Sequence, residues 1–175
     1  MTDAQQTSLD DVNAIDAETF VARYGDVAEH SPWVARQAGA MRPFASRAEM
    51  IDAFASAVAG ASVDRQLELI CAHPDLAGKA AMRGELTEDS KSEQTGAGLN
   101  ALSPEEFEAF TRLNANYKSK FGFPFIFAVK GATKHMILAA FAKRLNNAPT
   151  AEFQEAISQI SNILRFRLEE RVCDD

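Results

Sequence analysis

The sequence predicts an all-α fold, a single-domain bundle of roughly eight helices with a short extended segment at Phe121-Gly122-Phe123-Pro124-Phe125. Apolar residues recur at spacings of three and four along most of the chain, and no stretch shows the sustained alternation of a half-buried strand. The 175 residues, 46% hydrophobic and 25% charged, suffice for one globular domain with a substantial core. We therefore treat residues 1–175 as one domain in which residues 1–14 form a flexible polar tail.

The first helix start follows this tail at Asp16-Ala17-Glu18-Thr19-Phe20, where acidic residues occupy the first turn. Ser46 is the predicted N-cap of the next clear helix, whose apolar residues share one face as far as Gly60. A further apolar run then leads directly to His73. Two helix ends are thus expected to flank the histidine.

The strongest helix start is Ser103-Pro104-Glu105-Glu106, which combines an N-cap serine, a proline at the first helical position and a glutamate at the third. This long helix is expected to end near Gly122. Asn114 is the one amide on its otherwise aromatic stripe. A second long helix is predicted to start after Pro149-Thr150 and to run to about Arg171.

Arg167 lies on the apolar face of that last helix, because it falls seven residues after Ile160 and about 20° from it on the helical wheel. Arg165 falls about 140° from Ile160 and is expected in solvent. A permanently charged group directed at a core needs a partner, either a carboxylate of the protein or an anionic ligand. The geometry leaves both possibilities open.

Composition argues against several kinds of partner. The formal net charge of -7 and the pI near 5.0 disfavour sequence-independent binding to nucleic acid, which needs clustered lysine and arginine. The N-terminus lacks a basic and apolar signal segment, and no apolar run approaches about 18 residues. Cys71 and Cys173 are interpreted as free thiols, with Cys71 serving packing. We expect a cytoplasmic protein that binds neither nucleic acid nor membrane.

His73 is the candidate for proton transfer, because histidine titrates nearest to neutral pH. Pro74 disfavours α conformation at His73 and so places the imidazole at a break between helices, where catalytic groups are common. The alternative is a helix-terminal histidine satisfied by backbone groups. His30 and His135 form no HxxxH or HExxH pattern, so the sequence predicts no metal site.

Ser90, Glu93 and Gln94 stand at positions i, i+3 and i+4, which places a hydroxyl, a carboxylate and an amide on one side of a helix. A carboxylate near a histidine is suited to orient the imidazole or to share its proton. The alternative is a solvated helix face, since charged neighbours surround the three residues.

The phenylalanine-rich segment leaves the long helix through Gly122, and Pro124 cannot donate a backbone hydrogen bond. An extended crossing is therefore expected, with the aromatic side chains mainly in the core. The main-chain N–H and C=O groups of such a segment remain available to a ligand.

Together these blocks resemble the 2-oxo-4-hydroxy-4-carboxy-5-ureidoimidazoline (OHCU) decarboxylases of urate breakdown. That family carries HPDL, SxxEQ and FGFPF blocks, which stand here at His73–Leu76, Ser90–Gln94 and Phe121–Phe125. The resemblance covers nearly the whole chain after the first dozen residues. It extends to Glu29–Val34, Arg42–Phe44, Arg112–Asn114 with Tyr117, and Arg167–Leu168.

The resemblance implies a carboxy-lyase that converts OHCU, a small ureide, to (S)-allantoin without a cofactor. It also implies a homodimer. His73 and Glu93 would be the catalytic pair that handles protons. The implied substrate contacts are Pro74, Ser90, Gln94, Arg167 and the backbone around Phe125 and Phe127.

Composition and periodicity alone also allow a non-catalytic helical module that binds a partner protein through apolar faces. A second enzymatic alternative is a cofactor-free hydrolase or tautomerase acting on another ureide or purine-derived ring. Convergence of His73, Glu93 and Arg167 on one cavity would favour an enzyme. Three scattered, exposed side chains would favour the binding module.

Overall fold

A computed structural model of the chain describes residues 6–173, which contain ten α-helices, eight of them with eight or more residues. No residue in this described range belongs to a β-strand, and an isolated parallel bridge joins Thr7 to Val172. The prediction of an all-α fold is confirmed. The helices are α1 Leu9–Ala14, α2 Ala17–Tyr24, α3 Pro32–Gly39, α4 Arg47–Ala59, α5 Val63–Ala72, α6 Lys79–Arg83, α7 Glu88–Gly96, α8 Pro104–Phe121, α9 Lys134–Arg144 and α10 Pro149–Arg171.

The predicted polar tail differs from the structure over part of its length. Residues 1–5 lie outside the described range, but Leu9–Ala14 form helix α1 instead of an irregular tail. Ser8 caps this helix by accepting a hydrogen bond from the Asp11 amide at 3.1 Å. Leu9 and Val12 are buried. Two apolar residues three positions apart, behind a capping serine, are enough to fix a short helix against the fold.

The predicted helix boundaries are confirmed where a cap defines them. Asp16 and Ser46 accept hydrogen bonds from the backbone amides of the third helical residues of α2 and α4. Ser103 and Glu106 form the reciprocal capping box at the start of α8. Gly122 ends α8 with a φ of 79°, which is the left-handed conformation that glycine adopts at low cost.

The described residues form two compact units, one comprising residues 6–72 together with 161–173, and the other comprising residues 73–160. In the first unit, helix α3 packs against α2 and α4. The aromatic rings of Phe20, Tyr24, Phe44 and Phe54 form the centre of its core. That the whole chain behaves as one domain stays a prediction.

The core of the second unit is built around Tyr117 on α8. Its ring makes edge contacts with Phe125 and Phe141 at centroid distances of 5.3 and 6.0 Å. Phe125 and Phe141 are themselves stacked, with centroids 3.7 Å apart. All three side chains are at most 1% exposed. This cluster fixes the segment after α8 to helices α8 and α9.

Candidate active site

His73 begins a short non-helical segment that connects α5 to α6. Its side chain is 8% exposed, and Pro74 behind it is half-buried. The predicted break between helices at His73 is therefore confirmed. The imidazole is held largely out of bulk water on a turn rather than along a helix face.

Helix α8 anchors the turn that follows His73. The side-chain amide of Asn114 donates to the backbone carbonyl of Leu76 at 2.9 Å, in a buried position. One helical turn further on, the Lys118 ammonium contacts the Asp75 carboxylate at 2.6 Å. The amide on the aromatic stripe of α8 thus has a structural explanation, since it satisfies a buried carbonyl of the HPDL turn.

Helix α7 anchors the same turn from a second direction. The side-chain oxygen of Gln94 accepts a hydrogen bond from the Ala77 amide at 3.0 Å. Ala77 has a φ of 51°, a conformation that is uncommon outside glycine and needs support from its surroundings. Gln94, predicted as a substrate contact, therefore also holds the turn in place.

The serine and glutamine of the SxxEQ block are not on a solvated face. Ser90 is 4% exposed and Gln94 is 5% exposed, while Glu93 is half-buried. The alternative of a fully solvated face is therefore wrong, although charged residues surround this block in the sequence. Thr87 caps this helix by accepting a hydrogen bond from the Ser90 amide.

The segment after Gly122 is neither helix nor strand as far as Val129. That its backbone is extended stays a prediction. The side chain of Phe125 is 1% exposed, and the Phe127 ring lies nearly parallel to it at a centroid distance of 6.1 Å. The backbone carbonyl of Ile126 accepts a hydrogen bond from Arg144 Nη1 at 2.6 Å.

Arg144 belongs to a buried polar network that the sequence did not predict. Its guanidinium contacts the Glu152 carboxylate through Nε at 2.7 Å and Nη2 at 2.5 Å. Asn147 donates to the second oxygen of Glu152, and the Tyr117 hydroxyl donates to the first. Burial, followed by the hydrogen bond to Glu152 and the charge of that carboxylate, raises the pKa of Tyr117 above its usual value.

The helical wheel of α10 explains the burial of Glu152 once the structure is known. This residue lies eleven positions before the buried Ile163, which places it about 20° from that side chain on the wheel of α10. Measured from Ile160, the reference that placed Arg167, Glu152 falls about 80° away, so the predicted apolar stripe did not mark it as buried. Nothing in the local pattern identifies Arg144 as its partner.

Arg167 is 3% exposed, so its predicted place on the buried face of α10 is confirmed. Its Nη1 donates to Glu29 Oε2 at 3.0 Å and to the Val27 carbonyl at 3.1 Å. A carboxylate of the protein is therefore one partner of this guanidinium. Arg165 lies in partial solvent and pairs with Glu169 on the same helix. That Arg167 shares a cavity with His73 and Glu93 stays a prediction.

A pocket of about 570 Å³ opens beside the HPDL turn. Gln94 and Ala77 line it, with Lys91 and Phe107 among the other wall residues, whereas His73, Ser90 and Glu93 do not. The pocket therefore adjoins the predicted site through the Gln94 contact.

Cys71 does not serve packing, because its side chain is exposed at the end of α5. Partial desolvation raises the pKa of this thiol.

Within residues 6–173, no group of three or more histidine, cysteine, aspartate or glutamate side chains is placed to hold a metal ion. No helix in the same range is long and apolar enough to cross a membrane.

Comparison with known proteins identifies the family. The sequence model described as OHCU decarboxylase matches residues 13–169. The chain belongs to the OHCU decarboxylase family. A relative from Haloferax volcanii named 2-oxo-4-hydroxy-4-carboxy-5-ureidoimidazoline decarboxylase is 42% identical over 166 residues, which cover 95% of this chain and 96% of that protein.

Two solved structures resemble this member of the OHCU decarboxylase family. One, described as OHCU decarboxylase in the presence of (S)-allantoin, has a TM-score of 0.68 and 25% identity, and the match covers 83% of this chain and 94% of that one. The other, described as (S)-allantoin synthase, has a TM-score of 0.75 and 30% identity over 95% of this chain. This chain spans 54% of that second protein, about half its length.

Proposed function

We propose that this chain catalyses the cofactor-independent decarboxylation of OHCU to (S)-allantoin in urate degradation, with His73 and Glu93 handling the protons. The observation that carries the activity is the family match over residues 13–169. It is accompanied by 42% identity across nearly the full length of a relative that bears this enzyme name. The roles of individual residues are supported by their burial and by the contacts that fix them.

The substrate contains its own electron sink. As the bond from ring carbon C4 to the carboxylate breaks, its electron pair forms a double bond between C4 and C5. The C5=N bond passes its pair to nitrogen, which takes up a proton, and CO2 leaves an enol-like intermediate. The C4 hydroxyl then loses its proton as the carbonyl forms, and C5 gains one. The net reaction consumes one proton, and delivery to one face of C5 sets the enantiomer.

His73 is suited to move the proton at the C4 hydroxyl or at C5, because imidazole donates and accepts protons near neutral pH. Its side chain is buried on a turn that Asn114 and Gln94 hold by hydrogen bonds to the backbone of Leu76 and Ala77. Such support fixes the direction in which the imidazole points. Glu93 on α7 is proposed to orient the imidazole and to share its proton.

Several groups are proposed to hold the substrate. Ser90 offers a buried hydroxyl, and Gln94 offers its side-chain N–H groups, since its oxygen is engaged by Ala77. Arg167 offers a permanently charged guanidinium, which is suited to a carboxylate. Pro74 and the main chain of Phe125 and Phe127 complete the proposed contacts. Exclusion of water by the buried members would favour the change from a charged carboxylate to neutral CO2.

We also propose that the protein is a homodimer, which rests on the family resemblance, and that it is cytoplasmic, which rests on the interpretation of Cys71 and Cys173 as free thiols. Light scattering coupled to size-exclusion chromatography tests the assembly. A mass of twice 19.1 kDa would support the dimer, and a mass of 19.1 kDa at all concentrations would contradict it. Cell fractionation tests the location, and recovery of the chain with membranes would contradict it.

The activity is tested by the decay of OHCU, generated freshly from urate, with and without the purified protein. We expect the wild type to accelerate this decay and the His73→Asn variant to lose about 100- to 10,000-fold in kcat. His135→Asn is the matched control, because His135 is exposed on α9, and it should keep full activity. Decay at the spontaneous rate with folded wild type would contradict the decarboxylase and favour the binding module.

A further inference from the structure

The segment after α8 is predicted to be extended, and an extended segment has two different edges. On one edge, the Ile126 carbonyl accepts from Arg144 at 2.6 Å, and the Ala128 amide donates to Gln159 Oε1 at 2.9 Å. In an extended chain, the N–H and C=O groups of one residue point to one edge and those of the next residue to the other. Residues 126 and 128 therefore share the edge that the protein occupies.

The main-chain groups of Phe125 and Phe127 belong to the opposite edge. The nearly parallel rings of these two residues, 11° apart in plane, agree with the period of two that an extended segment imposes on side chains. Within residues 6–173, no protein hydrogen bond involves the main chain of either residue. This is the edge to which the proposed function assigns the flat ureide.

Arg144 is fixed on several sides. Its guanidinium is 4.3 Å from the centroid of the Phe125 ring and is paired with the fully buried Glu152. The Glu152 carboxylate is held in turn by Asn147 and Tyr117. A planar cation that meets a carboxylate, a ring and a carbonyl has little freedom to move, so the Ile126 carbonyl is fixed as well.

Gln159 on α10 accepts the second hydrogen bond on this edge, from the Ala128 amide. Its side-chain N–H donates to the Glu155 carboxylate at 2.8 Å, which sets the orientation of the amide and leaves the oxygen toward Ala128. Gln159 is only half-buried, so its replacement tests the role of this edge without opening the core.

We propose that Arg144 and Gln159 are positioning residues for the decarboxylation, which hold the 126/128 edge so that the main chain of Phe125 and Phe127 faces the substrate. This inference rests on the proposed function. It assigns the two residues no contact with the reacting atoms. Replacement of either residue should make the main chain of Phe125 and Phe127 less rigid. We expect this to raise the KM for OHCU more than it lowers kcat.

The decisive variant is Gln159→Met, with Gln154→Met as the matched control, because Gln154 is exposed on the same helix. Steady-state kinetics with OHCU, the dissociation constant for (S)-allantoin and the urea midpoint are measured for both. We expect the KM and that dissociation constant to rise about three- to tenfold in Gln159→Met, with kcat changed less than twofold and the midpoint matching the control. Arg144→Lys, which keeps the charge but loses the planar fork, should raise the KM further.

The outcomes separate the two proposals. An active wild type with equal KM values in Gln159→Met and Gln154→Met would overturn the positioning role. A fall in the urea midpoint without a change in KM would also overturn it, because it would indicate a purely structural contact. A folded but inactive wild type would overturn the proposed function and with it the substrate-facing edge. If Arg144→Lys does not fold, Gln159→Met alone decides.

Discussion

Arg167 donates to Glu29 at 3.0 Å, and the two side chains are only 3% and 2% exposed. A guanidinium that also contacts the Val27 carbonyl is fixed in direction by the loop before α3. The two residues are 138 positions apart in sequence, so the pair ties the last helix to that loop. A buried ion pair of this kind is sensitive to the loss of either partner, because the remaining charge stays buried.

Replacement of Glu29 by glutamine should therefore be strongly destabilising. We expect the free energy of unfolding to fall by about 3 to 5 kcal/mol, measured by urea denaturation. Glu169→Gln is the control, since Glu169 pairs with the partly exposed Arg165 and should cost about 1 kcal/mol or less. Equal losses of unfolding free energy in the two variants would show that the buried Glu29–Arg167 pair stabilises the fold no more than the partly exposed Arg165–Glu169 pair.

Arg167→Lys separates charge from geometry. Lysine keeps the positive charge but lacks the planar guanidinium, which can contact two protein acceptors and a substrate carboxylate at the same time. We expect at least a tenfold rise in the KM for OHCU, which corresponds to about 1.4 kcal/mol of binding. Arg165→Lys, two positions away, should leave the KM unchanged. Matching KM values in both variants would remove Arg167 from the substrate-binding residues.

Asn114→Leu tests the anchor of the HPDL turn. The variant leaves the buried Leu76 carbonyl without its donor, which should cost about 1 to 3 kcal/mol and lower kcat because the turn that carries His73 loosens. Lys118→Met removes the more exposed contact with Asp75 and should cost about 1 kcal/mol or less. A larger effect of Lys118→Met on kcat would contradict this ranking.

The raised pKa of Tyr117 predicts a loss of folding stability at high pH. Burial and Glu152 raise the pKa of its hydroxyl in the folded protein. A group with a raised folded pKa gives its full stabilisation below the pKa of unfolded tyrosine, about 10, and loses it as the pH rises above that value. The urea midpoint of the wild type should thus fall more steeply above about pH 10 than that of Tyr117→Phe. The prediction would be contradicted if the urea midpoints of the wild type and of Tyr117→Phe fell equally steeply with pH.

The sequence predicted well those features whose causes are local. Ser103, Glu106 and Gly122 define the two ends of α8 because capping groups act within one turn of the backbone. Pro74 located the helix break at His73 for the same reason. Helix α1 was missed, since a stretch with only Leu9 and Val12 as apolar anchors shows no clear period before its packing is known.

Long-range polar contacts could not be predicted in the same way. The helical wheel indicated that Arg167 is buried, but not that Glu29 is its partner, because spacing along one helix says nothing about residues elsewhere in the chain. The burial of Ser90 and Gln94 was hidden by the charged residues around them. The proposed roles of these side chains came from the family resemblance, and periodicity alone would have left Ser90, Glu93 and Gln94 on a solvated face.

The most direct test of the His73 and Glu93 roles is the circular dichroism of the allantoin formed while freshly generated OHCU decays. With wild type, we expect rapid formation of (S)-allantoin. With His73→Asn or Glu93→Gln, shown to be folded by their far-ultraviolet spectra, we expect slow formation of optically inactive product. Rapid formation of (S)-allantoin by either variant would contradict the assignment of proton handling to that residue.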